Sequence, residues 1–200
     1  AVVEDYSEGL DETAQEYLSR VHNGCQTMSR LIDNLLQLSK VTRQEFRKQE
    51  LDFSSLCEKV VLSFREQEPS RNAAIRIQPN MHAKGDQELI EIILTNLVGN
   101  AWKYSNKNVL TEIDIGTLEQ SGNRVYFVRD NGTGFDMKLA SQLFTPFKRL
   151  HSTNDFEGTG IGLATVSRII ERHHGKIWAE SEQKKGTTFF FTIFPNNAIS

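Results

Sequence analysis

Three groups of residues in this chain have the types and spacing to do chemistry. Asn96, Asn100 and Lys103 stand four and three residues apart, so in a helix they share one face. Their companions Leu89, Ile92, Ile93 and Leu97 are apolar, and burying an amide without a partner costs on the order of 1 to 3 kcal/mol. These amides therefore either bond within the protein or meet a ligand. An amide oxygen suits Mg2+, a hard cation, and a nearby lysine suits phosphate. In "DNGTGFD", residues 130–136, Asp130 offers a carboxylate acceptor for an amino group. Gly132 and Gly134 let the backbone take positive φ and approach a ligand closely. In "GTGIGLA", residues 158–164, Gly158, Gly160 and Gly162 lead into a helix whose free N–H groups and dipole attract an anion. That cluster lacks the Gly-Lys-Ser/Thr of a P-loop and no strand precedes it, which argues against a dinucleotide fold. Taken alone, a tight turn would account for it.

Between the glycine clusters lies "LFTPFKRLHSTNDFE". Phe144, Pro146 and Phe147 are apolar anchors, and the charged and small polar residues after them suit a mobile lid over a polar ligand, with His151 as part of that lid.

The elements that must position these groups follow from periodicity. Leu18, Val21, Cys25, Met28, Leu31, Ile32, Leu35 and Leu38 have the mixed three-and-four spacing of an amphipathic helix over 11–41, with Asp11 as its cap. Such a helix is about 45 Å long and wants a partner helix or a second subunit. "AVVEDY" before it reads as the tail of an earlier helix. Ser55 with Glu58 fits a capping box for a helix to about Glu66, "IRIQ" alternates as a strand, and "DQELIEIILTNLVGNAWKYS" reads as a buried helix. "LTEIDIGTL" and "NRVYFVRD" form a hairpin through "EQSGN". A helix from near Gly160 to His174, ended by Gly175, precedes a second strand pair, "KIWAESE" and "TTFFFTIF", joined by "QKKG". The predicted fold is α+β, a two-layer sandwich of a mixed, mostly antiparallel sheet with helices on one face, preceded by a long-helix hairpin. The predicted domains are 1–43 and 44–200.

The totals exclude some classes. A formal charge of −3 and no Lys/Arg block give no footprint for nucleic acid. Cys25 and Cys57 lack CxxC spacing and are expected as buried thiols in a reducing cytoplasm. No apolar run approaches the roughly 20 residues that span a bilayer, so no membrane contact is expected of this segment.

The order of the motifs adds more than any one of them. "NLVGNAWKYS", "DNGTGFD", "LFTPFKRL" and "GTGIGLA" resemble, in sequence, the N box, first glycine box, F box and second glycine box of the catalytic, ATP-binding domain of sensor histidine kinases. The resemblance covers about residues 45–195. The helix carrying "LIDNLLQLSKVTR" is similar to the second helix of that family's dimerisation and histidine-phosphotransfer hairpin, particularly in the phytochrome-like branch. The resemblance implies ATP and Mg2+ as ligands, a homodimer through the hairpin, and a response-regulator receiver domain as partner. It implies that Asn100 binds Mg2+ with Asn96 lining the same site, that Lys103 meets the phosphates, and that Tyr104 lies against the nucleotide. Asp130 would accept from the adenine amino group, with Thr187 supporting it through a hydroxyl or a water. Gly132 and Gly134 would shape the adenine pocket. The loop of Gly158, Gly160, Ile161, Gly162 and Leu163 would hold phosphate, and Arg149 in the lid would reach the terminal phosphate.

The family's phosphoacceptor is a histidine followed by an acid, a basic residue and proline, on the first hairpin helix. None of His22, His82, His151, His173 or His174 has that context; His22 comes closest by location but lacks the acid and the proline. The acceptor is therefore expected upstream of Ala1. Two alternatives come from other classes. Type II topoisomerases and mismatch-repair ATPases share the nucleotide fold but carry a water-activating glutamate where this chain has Asn96, and a neutral amide cannot take the proton. A nucleotide-sensing binding module would keep the pocket and use residues 11–41 to grip a partner.

Overall fold

The computed structural model describes residues 11–43, 45–148 and 158–195. Helix α1, Glu12–Arg43, is capped by Asp11, whose carboxylate accepts from the Ala14 N–H at 2.7 Å. Strand β1 (Gln49–Asp52) leads directly into α2 (Phe53–Gln67). The cap of α2 is Asp52: its carboxylate accepts from both the N–H and the hydroxyl of Ser55. The capping box expected at Ser55 is thus one turn out of register, because the helix already begins at the fully buried Phe53.

Strands β2 (Ala73–Ile77) and β3 (His82–Gly85) precede α3 (Gln87–Tyr104), which Asp86 caps through the Leu89 N–H. Strands β4 (Thr111–Gln120) and β5 (Asn123–Asp130) form a hairpin in which Ser121 and Gly122 both have positive φ, as a two-residue primed turn demands. A short 3-10 helix (Met137–Gln142), α4 (Gly162–Arg172), β6 (Ile177–Glu182) and β7 (Gly186–Thr192) complete the order. At the end of α4 it is His174, at φ 52°, that takes the left-handed turn, one residue before the glycine expected there.

The main sheet runs β2-β4-β5-β7-β6, parallel between β2 and β4 and antiparallel elsewhere. The second sheet is the antiparallel pair β1-β3. Helix α3 covers β4 and β5, with α2 and α4 against its sides. Its residues Leu89, Ile90, Ile93, Leu94, Leu97 and Val98 are wholly excluded from solvent, so this helix is the spine of the core. Burial of that kind contributes roughly 1.5 to 3 kcal/mol per large apolar side chain.

His173 joins the two sheets' supports. Its Nδ1 bonds the Ile169 carbonyl at 2.8 Å while Nε2 accepts the Asp86 N–H at 3.1 Å. Burial lowers its pKa, and Nε2 can accept only in the neutral form.

Among the cysteines, Cys57 is buried, and burial raises its thiol pKa, but Cys25 is exposed on α1. The expectation of two buried thiols therefore holds for one. Tyr17, Val21, Met28, Ile32, Leu35 and Leu36 also project from α1 into solvent, because only its C-terminal part leans on α4. There the Arg172 guanidinium donates to the Val41 carbonyl. The "AVVEDY" segment lies outside the described residues. No helix among the described residues is long and apolar enough to cross a membrane.

Candidate nucleotide site

The end of α3, the turn after β5 and the start of α4 meet at one cavity. It is lined by Asn96, Asn100, Lys103 and Tyr104 from α3, by Asp130, Thr133, Gly134 and Phe135 from the turn, and by Gly158, Thr159, Gly160, Gly162 and Leu163 from the second glycine loop. Thr187 and Phe189 of β7 close its floor. The sheet explains why the turn is there: Asp130 pairs with Ile113 on one side and with Thr187 on the other. The chain then leaves the sheet at the C-terminal end of α3, where the Thr133 N–H donates to the Tyr104 carbonyl at 3.1 Å.

Asp130 is 7% exposed. Its Oδ1 accepts from the Gly132 N–H at 2.8 Å and from the Thr187 N–H at 3.3 Å, and Oδ2 has no hydrogen bond to a described residue. Burial pushes its pKa up to about 6, against the lowering effect of those two N–H groups. The carboxylate is therefore an acceptor with one oxygen held and one available. Thr187 reaches it directly through the backbone N–H, and the Thr187 hydroxyl is engaged with Ser181 Oγ at 3.0 Å.

On the α3 wall, Asn96 Nδ2 donates to the Ile92 carbonyl at 2.8 Å, and its Oδ1 lies against Gly162 so closely that a Cβ there would collide with it. The Asn100 side chain makes no hydrogen bond to a described residue. Lys103 Nζ lies 4.1 Å from the Tyr104 ring centroid and borders Gly158, where an added Cβ would come within 3.2 Å of it. A neutral amide oxygen and an ammonium thus face the same glycine loop. The F-box segment is tied to that loop by the Phe147 N–H, which donates to the Gly160 carbonyl at 3.0 Å. Phe147 itself is 59% exposed, whereas Leu143 is buried beside the cavity.

Of the residues expected at the site, two stand apart from the cavity wall. Gly132 lies behind Asp130, held between that carboxylate and the Tyr104 carbonyl. Ile161 is wholly buried in the core, because its side chain turns inward at the start of α4. Arg149 and His151 lie outside the described residues. Sequence reasoning missed Thr133, Phe135, Lys148 and Thr159, all inside the motifs it had marked. It also missed Asn34, whose Nδ2 donates to Thr159 Oγ1 at 2.9 Å; that residue reaches the site only through the packing of α1 on α4.

Residues 85–197 match the family described as histidine kinase-, DNA gyrase B-, and HSP90-like ATPase. Cyanobacterial phytochrome A of Nostoc sp. (strain PCC 7120) is 33% identical over 188 residues, covering 94% of this chain and 24% of that protein. Sensor protein kinase WalK of Staphylococcus aureus is 29% identical over 189 residues, covering 92% of this chain and 45% of that one. The chain thus spans about a quarter of the length of the phytochromes it matches. Among solved structures, Acinetobacter baumannii histidine kinase AdeS superposes with a TM-score of 0.66 at 26% identity, over 94% of this chain and 87% of that one. Histidine kinase ThkA in complex with response regulator protein TrrA superposes at 0.70 and 24% identity, over 98% and 56%.

Proposed function

This chain belongs to the histidine kinase-, DNA gyrase B-, and HSP90-like ATPase family as the ATP-binding catalytic region of a sensor histidine kinase, and on that premise we propose how its residues serve phosphoryl transfer. The carrying observation is the single cavity shared by the Asp130 carboxylate, the Asn100 amide and the second glycine loop. Asp130 Oδ2 accepts from the adenine amino group, and Tyr104 lies against the nucleotide. Lys103 and the backbone of Gly158, Gly160 and Gly162 take the phosphates, and Asn96 lines the magnesium site beside Asn100.

The donor set also fits magnesium. Among the described residues no group of three His, Cys, Asp or Glu side chains gathers as a metal cage. Mg2+ keeps several waters and takes substrate phosphates rather than an all-protein cage, so one oxygen from the chain, the Asn100 amide, would suffice to hold it beside the phosphates. When bound, the ion neutralises charge building between the phosphates. By the family resemblance, Arg149 would add charge at the terminal phosphate.

The acceptor must bring its own base. Asp130 is the one carboxylate among the described lining residues of this cavity, and it is committed to the base end. At the phosphate end Asn96 is a neutral amide, so water is poorly activated and hydrolysis disfavoured. We assign the acceptor to a histidine with an adjacent acid on a partner helix, and relay from it to a response-regulator aspartate. Labelled Mg-ATP incubated with this chain alone should leave no acid-labile label on His22, His82, His151, His173 or His174. Label on any of them, located by mass spectrometry, would overturn that assignment.

The apolar stripe on α1 supports homodimerisation. Sedimentation equilibrium of the chain should show self-association that Val21→Glu with Met28→Glu abolishes; monomer at every concentration would exclude a dimer through α1.

A further inference from the structure

Helix α3 carries Asn100 and Lys103 close to its C-terminal end, and the carbonyls of such an end point the wrong way for an anion. The last four carbonyls of a helix also lack partners within it. Neither Ser105 nor Asn106 takes the left-handed conformation that commonly closes a helix. Each carbonyl is instead met individually. The Ser105 hydroxyl donates to Ala101 at 2.6 Å, the Asn106 N–H to Lys103 at 3.3 Å, and the Thr133 N–H to Tyr104 at 3.1 Å. The Trp102 carbonyl accepts from the guanidinium of Arg71, which stands between α2 and β2, with the Ser105 hydroxyl farther off at 3.3 Å.

Arg71 grips this one residue twice. Besides bonding the carbonyl, its guanidinium carbon lies 4.5 Å from the Trp102 ring centroid. The Thr111 hydroxyl accepts from Nε and Nη2, each at 3.2 Å, and Glu68 Oε2 from Nη1 at 3.3 Å. Glu68 Oε1 in turn accepts the Trp102 indole N–H at 3.1 Å. The Arg71 side chain is only 11% exposed. Burying a guanidinium carries a large hydration cost that a well-packed apolar side chain avoids, so stability alone does not call for an arginine here. A rigid fork that bonds in fixed directions sets position. Trp102 faces Phe64 of α2, their ring centroids 6.0 Å apart, and neither Trp102 nor Arg71 is among the described residues that line the nucleotide cavity.

Resting on the reading of that cavity as a nucleotide site, we propose that Arg71 is a positioning residue for phosphate binding. By fixing the Trp102 backbone it holds the last turn of α3 in frame, so that Lys103 and Asn100 on either side keep their places opposite the second glycine loop. Its charge, seated on the carbonyl end, also offsets the negative end of the helix dipole that the phosphates approach. A residue acting in this way serves the phosphate end and leaves the base end, held through Asp130, as it was.

The test uses the whole chain, titrated with Mg-ATP and with AMP, which keeps the base but lacks the outer phosphates. NMR shift changes read weak and tight binding alike, and the ratio of the two affinities does not depend on the folded fraction. Arg71→Met should weaken Mg-ATP about tenfold and leave AMP within about twofold of wild type. Arg71→Lys, which keeps a charge but loses the fork, should weaken Mg-ATP about threefold with AMP again unchanged; it carries the test if the methionine variant does not fold. The proposal is overturned if the variants bind Mg-ATP as wild type does, or if Mg-ATP and AMP weaken in equal proportion, which would make Arg71 a support of the fold at large. A wild-type chain that binds no Mg-ATP would sink the nucleotide reading itself, whereas wild-type binding with silent variants sinks only the role of Arg71.

Discussion

Asp130→Asn should bind Mg-ATP about 30- to 150-fold more weakly than wild type, the worth of one charge-assisted hydrogen bond and its mismatch, while the nucleotide-free protein unfolds at a higher temperature. The two effects share one cause. Burial of this carboxylate raises its pKa to about 6, so at neutral pH the fold carries an ionised group it would rather hold protonated. The sign follows from the raised value: Asp130 contributes stability that is fully present below its unfolded pKa and is lost as pH rises through about 6. Asparagine keeps an oxygen for the N–H groups of Gly132 and Thr187 and removes the charge. It also presents an NH2 to the adenine amino group, a donor facing a donor. Affinity in the wild type should fall as pH is lowered through 6, because only the ionised carboxylate accepts freely. The asparagine variant supplies the reference for the titration of ATP itself. Calorimetry of both proteins from pH 7.5 to 5 reads the difference, and parallel pH profiles would remove Asp130 from base recognition.

The second large effect is expected at Gly134. Its φ is +58°, and a Cβ there would collide with the backbone carbonyl oxygen of Glu182 and lie 3.0 Å from that of Gly186. Neither obstacle is a flexible side-chain end. Gly134→Ala must therefore bear left-handed strain of about 1 to 2 kcal/mol and, beyond it, displace the β6–β7 turn. A total of about 3 kcal/mol or more corresponds to a loss of roughly 10 °C in Tm for a chain of this size. ATP binding should be lost with it, since the same turn holds Thr187 and Thr133. Gly122 provides the control. It also has positive φ, at +75°, but nothing lies within 4 Å of its added Cβ, so Gly122→Ala should cost about 1 kcal/mol and leave binding intact. Thermal unfolding of the two variants decides it; equal losses would mean that the close approach at Gly134 carries no energetic weight.

Much of this architecture is legible in the residues because its elements are long and periodic. Helix α3 alternates by threes and fours among isoleucines and leucines, and the β4–β5 hairpin alternates by twos around Ser121-Gly122. Strands β1 and β3 are not legible: "QELD" and "HAKG" are short and polar, and each exists only by pairing with the other across some 30 residues. Ser55 was the expected cap, and the burial of Phe53, a tertiary fact, starts the helix earlier and makes Asp52 the cap. In the site, types and spacing pointed to Asn100, Lys103, Asp130 and the glycines, since these residues look out of place in their apolar surroundings. Thr133 did not look out of place, because a threonine in a glycine turn resembles filler until its burial is known. Asn34 belongs to a helix more than 120 residues away from Thr159 in the chain, a distance no local pattern spans. Ile161 was drawn into the site by its glycine neighbours, although an isoleucine at a helix start is more readily claimed by the core.

A crystal structure of the chain with Mg2+ and a non-hydrolysable ATP analogue tests the shared cavity most directly. The adenine amino group is expected about 3 Å from Asp130 Oδ2, with the Asn100 amide oxygen about 2.1 Å from the ion and the phosphates against the loop of Gly158 and Gly160. An analogue bound elsewhere, or turned with its phosphates toward Asp130, would contradict the account.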